Sequence, residues 1–112
     1  MAKKIIRPKK IKINESEYKI VSRSKSWERK HKALGQIHYD KHLIELFKNQ
    51  PSDELIDSTI HEIMHGIIKE HEVKLDGRKE EALVTGLANG LTQVFRDNPN
   101  LLIWFYNKIQ KP

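Results

Sequence analysis

The chain has 112 residues, of which 38% are hydrophobic and 32% charged, and its net charge is +6. That length suits one domain around one modest core, and the balance is that of a folded, water-soluble chain rather than a disordered one. Cysteine is absent, which excludes disulfides and thiolate metal ligands; no apolar run approaches the roughly 18 residues of a membrane span.

Residues 1–10 read as a flexible basic arm, and a second basic cluster runs from Arg23 to Lys32. The N-terminus has the charge of a signal peptide but not its apolar segment, so a cytoplasmic setting is expected. The basic field suits acidic partners, nucleic acid among them, although a solvated basic face is the simpler reading. Residues 11–112 are expected to form the single domain. Ile11, Ile13, Tyr18 and Ile20 alternate with polar residues around Asn14-Glu15-Ser16, which predicts a hairpin. Residues 23–33 read as a short helix or a loop, with Trp27 and Leu34 docked on the core.

Ile37 and Tyr39, then Leu43, Ile44, Leu46 and Phe47, flank Asp40-Lys41 and predict a second hairpin. Tyr39 is expected in the core rather than as a donor to a reacting group. His38 and His42 are expected to be ordinary exposed turn histidines. Residues 43–48 are the candidate edge strand, able to take up an extended peptide through main-chain hydrogen bonds.

Two long helices follow. Pro51-Ser52-Asp53-Glu54 starts the first, with Ser52 as N-cap and two acids at the positive helix end. Ile56, Ile60, Ile63, Met64 and Ile67 form its apolar stripe. Asp76-Gly77 is a turn or helix stop, after which Leu83, Val84, Leu87, Ala88, Leu91, Val94 and Phe95 recur at helical spacing. Asp97-Asn98-Pro99 ends this second helix, because proline cannot continue it. Leu101 to Ile109 reads as a short third helix whose Trp104-Phe105-Tyr106 cluster is expected in the core. Strands first and helices after predict an α+β domain with a small antiparallel sheet.

The chemistry lies in His61-Glu62-Ile63-Met64-His65, a His-Glu-x-x-His sequence inside the first long helix. Residues four apart stand on one helix face, so His61 and His65 can aim two imidazoles at one point. Glu62 lies beside them, able to reach a water held there. Two imidazoles and an adjacent carboxylate are what a hydrolytic zinc site needs, together with a third protein ligand. His71 is one candidate, but a continuing helix turns it roughly 120° away from His65. Glu81 or its neighbour Glu80, in the first turn of the next helix, is the other. For Glu80 an exposed acid at a helix N-terminus is the default reading.

His61-Glu62-Ile63-Met64-His65-Gly66-Ile67, Glu81-Ala82-Leu83-Val84, Leu87-Ala88-Asn89-Gly90-Leu91 and Asp97-Asn98-Pro99 together resemble the gluzincin-type zincin metallopeptidases. More narrowly, they resemble small phage and prophage proteins related to the ImmA/IrrE group. The resemblance covers the C-terminal half. It implies a zincin-like fold, zinc held by His61, His65 and Glu81, and Glu62 as general base of a peptidase acting on a peptide or protein. Two rival readings stand beside it. One is a non-catalytic, zinc-stabilised regulatory or binding module; the other is a nucleic-acid-associated protein using the basic N-terminal region.

Overall fold

The computed structural model describes residues 7–110. Its elements are β1 (Lys10–Ile13), β2 (Ser16–Arg23), α1 (Lys25–His31), β3 (Gly35–His38), β4 (Leu43–Phe47), α2 (Ser52–Glu70), α3 (Gly77–Asp97) and α4 (Pro99–Gln110). The architecture is α+β. Of the expected basic arm, residues 1–6 lie outside the described residues. At its end, Lys10 pairs with Lys19 in the sheet, and the Arg7 guanidinium donates to the Ser22 hydroxyl at 3.0 Å.

Both hairpins form, each with a residue in the left-handed region at its turn: Asn14 (φ 53°) in the first and His42 (φ 49°) in the second. The sheet they build is mixed, not antiparallel. Its order is β1-β2-β4-β3, and the hairpins join through a parallel β2–β4 pairing in which Ile20 sits beside Ile44. Residues 24–42, carrying α1 and β3, form the long connection that a parallel neighbour requires. Strand β4 is therefore interior. That overturns residues 43–48 as a peptide-accepting edge, since β2 and β3 already take both sets of backbone groups. Its nearly unbroken Leu43-Ile44-Glu45-Leu46-Phe47 run is what an interior strand looks like.

One sheet face carries the core: Ile13, Tyr18, Ile20, Ile44 and Leu46, with Ile11, Ile37 and Leu55 packed against it. Helix α2 lies across that face, and α3 packs on α2. A Cβ on Gly66 would lie 2.7 Å from Ile13 Cδ1, so glycine here sets how closely α2 approaches the sheet. The last turn of α2 is fastened to the first hairpin through Glu70. Its carboxylate accepts from Ser16 Oγ (2.8 Å) and Tyr18 OH (2.6 Å), and its carbonyl accepts from Asn14 Nδ2 (3.2 Å). These hydroxyls, Tyr18 first, hold the Glu70 carboxyl below the usual range.

The opposite sheet face buries a polar cluster. Glu45 accepts from Arg23 Nε at 2.6 Å and pairs with His38 Nε2 at 2.5 Å. His38 is thus a strand residue with a carboxylate partner rather than an exposed turn histidine. His42 keeps its exposed turn position, 5.0 Å from the Tyr18 ring.

The helix ends differ in how closely they follow the sequence. Asp76 caps α3, its carboxylate accepting from Lys79 N–H at 2.9 Å, and α3 stops at Asp97. Helix α2 is capped by Pro51 rather than Ser52, with no side-chain cap bond. Its ends Ile56 and Ile67 are exposed, whereas Glu62 and Gly66 are the buried positions. Leu34 is exposed and Trp27 only half-buried, stacked on His31 at 4.6 Å. Trp104, Phe105 and Tyr106 are exposed on α4, not in the core. No described helix is long and apolar enough to cross a membrane.

Candidate metal centre

His61 and His65 lie one helical turn apart on the edge of α2 that faces the start of α3. Both Nε2 atoms converge on the Glu81 carboxylate: His61 Nε2 is 3.0 Å from Oε1, and His65 Nε2 is 2.9 Å from Oε2. The two Nε2 atoms are 3.2 Å apart. One ligand atom from each of the three residues falls within 4.8 Å of the others, a spacing at which one cation can be held. The donor set suits zinc: two imidazole nitrogens and a carboxylate oxygen, a set that leaves a fourth tetrahedral position for water.

His71 is not part of this group. It is the exposed C-cap of α2, and its N–H bonds to Ile67 O at 2.9 Å.

Glu80 is where sequence reasoning fell short. Instead of pointing into solvent, it is half-buried, with Oε2 2.5 Å from His65 Nδ1. A carboxylate there accepts the Nδ1–H, which leaves Nε2 as the nitrogen with a free lone pair. Adjacent acids in one helical turn thus divide the work: Glu81 meets both Nε2 atoms, and Glu80 orients one ring from behind. The signal was available, because a metal-binding histidine needs an acceptor for its other nitrogen.

Glu62 is 7% exposed and packs under the sheet. Burial pushes its carboxyl up to about 7; His65 opposes the shift and Glu81 adds to it. A carboxylate near neutrality is suited to taking and returning a proton. Gly35 of β3 makes room for it, since a Cβ there would lie 3.3 Å from Glu62 Cγ and 3.2 Å from Leu46 Cδ2.

Two hollows flank the group, each of about 330 Å³, and both are lined by Gly35, His61, Glu62 and Glu81. One extends past Gln36 and Ile37 to Tyr39; the other extends to Leu34, Asp57 and Ser58. Strand β3 borders both, and among the described strands its outer edge has no neighbour. Tyr39 is half-buried at the site's rim rather than in the core. Burial, then the carboxylates of Glu80, Glu62 and Glu81, raises its pKa, so its hydroxyl keeps its proton.

Set against protein-family models, curated proteins and solved structures, the chain matches none of them.

Proposed function

We propose that the protein is a zinc-dependent peptidase-type hydrolase. The observation that carries this reading is the meeting of His61 Nε2, His65 Nε2 and Glu81 beside a buried Glu62 whose carboxyl is raised to about 7. His61, His65 and Glu81 would hold the metal. Zinc, when bound, supplies a Lewis acid that polarises a water and the scissile carbonyl.

The remaining steps belong to the chain's own groups. Glu80 fixes the His65 ring through Nδ1. Glu62 takes the proton of the attacking water and returns it to the leaving amine. The protonated Tyr39 hydroxyl, at the rim, is a donor toward developing negative charge on the carbonyl oxygen. The substrate-binding edge is β3, which takes over the role expected of residues 43–48. A peptide added alongside β3 by main-chain hydrogen bonds passes through both hollows and over Glu62.

The deciding experiment is Glu62→Gln with a metal assay and a peptide-library cleavage assay run side by side. The expected outcome is unchanged zinc content with cleavage lost. Cleavage at the wild-type rate in that variant would remove the role assigned to Glu62.

A second reading has its own support. The three candidate ligands come from both α2 and α3, so a bound metal would staple the two helices together. On that reading a chelator unfolds the protein and Glu62→Gln changes nothing. A fold that persists in chelator while cleavage stops favours the peptidase.

A further inference from the structure

Helix α4 has no buried residue. Its large side chains stand in solvent: Leu102 (45% exposed), Ile103 (59%), Trp104 (55%), Phe105 (44%), Tyr106 (64%) and Ile109 (74%). At 100° per residue they cover more than half of the helix circumference, well beyond the roughly 100° stripe of a helix resting on one surface. Lys108 is the one charged residue of Pro99–Gln110. Aromatic side chains carry about 150–250 Å² each, so at these fractions the three aromatics alone expose on the order of 300 Å². The three aliphatic side chains bring the total to roughly twice that, at the top of the range for the largest apolar patch of a monomer.

The same chain has a groove of matching chemistry. Met64, Ile67, Val73, Leu75, Leu83 and Leu87 line an apolar hollow of about 200 Å³ between the end of α2 and the start of α3. Leu83 and Leu87 leave nearly half their surface in solvent. No residue of the chain's own α4 lines this groove. Only Asn98 joins α4 to α3, and Leu87 and Leu83 lie about 15–21 Å back along α3 from Asp97 at the helical rise.

We propose that two copies of this chain pair by reciprocal exchange, each placing α4 in the groove of the other. The arrangement is isologous and closes on itself, so it stops at a dimer. One face of α4 and one groove per chain supply on the order of 500 Å² per partner, about the 1,000 Å² in total that a specific interface needs. Helix α4 itself brings a single charge, that of Lys108, to this surface.

The test is the solution mass of the full chain by light scattering, for wild type, Trp104→Glu and Leu87→Glu, with circular dichroism to confirm that each folds. Both positions are exposed, so neither change touches the core. Wild type is expected at twice the monomer mass and each variant at the monomer mass. An equimolar mixture of the variants is expected to regain dimer at least tenfold more weakly than wild type, through the one intact helix–groove contact. A monomeric wild type, including one that binds lipid vesicles through α4, overturns the proposal. So does a Leu87→Glu chain that still dimerises, since α4 would then pair with something other than the groove. A mixture that stays monomeric overturns the exchange.

Discussion

Glu80 and His65 are joined through Nδ1 at 2.5 Å, and that bond decides which imidazole nitrogen is free for a metal. Glu80→Ala is expected to weaken zinc binding by about 10–100-fold, the usual cost of losing such an outer partner. Glu81→Ala, which removes a ligand, is expected to weaken it further. Competition against a chromophoric chelator measures both. Equal affinities for wild type and Glu80→Ala would show that His65 is held by its own helix alone.

Gly35→Val tests whether β3 sets the position of Glu62. The Cβ of any side chain there meets Leu46 Cδ2, the Glu45 carbonyl and Glu62 Cγ at 3.2–3.3 Å, and valine adds two more carbons. Overpacking of this kind costs about 1–3 kcal/mol. Urea unfolding should show that loss, and cleavage should fall by more than the unfolded fraction accounts for. A variant as stable and as active as wild type would mean that the Glu62 side chain has free space to move.

Glu45 gives the stability a pH dependence of known sign. Burial alone would raise its pKa, but the bonds from His38 and Arg23 outweigh burial and hold it below the ordinary value. A depressed folded pKa stabilises the fold fully above the unfolded pKa of about 4.3 and ceases to do so as pH falls through the folded value. Glu70 and Asp97 are lowered in the same direction, so the contribution of Glu45 is read as a difference. Urea unfolding of wild type and Glu45→Gln across acid pH should show a shallower acid loss in the variant. Parallel curves would mean that Glu45 titrates alike in both states.

Local signals in the sequence carried much of this structure. Pro99 after a helix end and Asn14 at a two-residue turn act within a few residues, and each does in the fold what it does in isolation, whereas Asp76-Gly77, expected as a turn or helix stop, is the N-cap and first residue of α3. The convergence of His61, His65 and Glu81 was legible for a related reason: an i, i+4 pair needs only a helix, and an acid near the start of the next helix needs only an antiparallel neighbour. Strand pairing was not legible. Alternation along residues 16–23 is the same whether the partner runs parallel or antiparallel, so the β2–β4 pairing had no local mark. Nor did the rotation of α2 about its axis. Glu62 lies against Gly35, and Gly66 lies against Ile13 and Ile37, coincidences of residues 27 positions or more apart. The aromatic run on α4 reads as core by composition, yet nothing in its own chain covers it among the described residues.

The three-point grip of Glu70 on Asn14, Ser16 and Tyr18 also bears on local opening. Helices usually come apart from their ends, and a frayed last turn of α2 would begin five residues from His65. With that turn tied to a strand whose Tyr18 ring is fully buried, opening it has to break these bonds to the hairpin as well. The last turn of α2 should therefore exchange more slowly than an untied helix end, and the two histidines would stay rigid without metal to hold them.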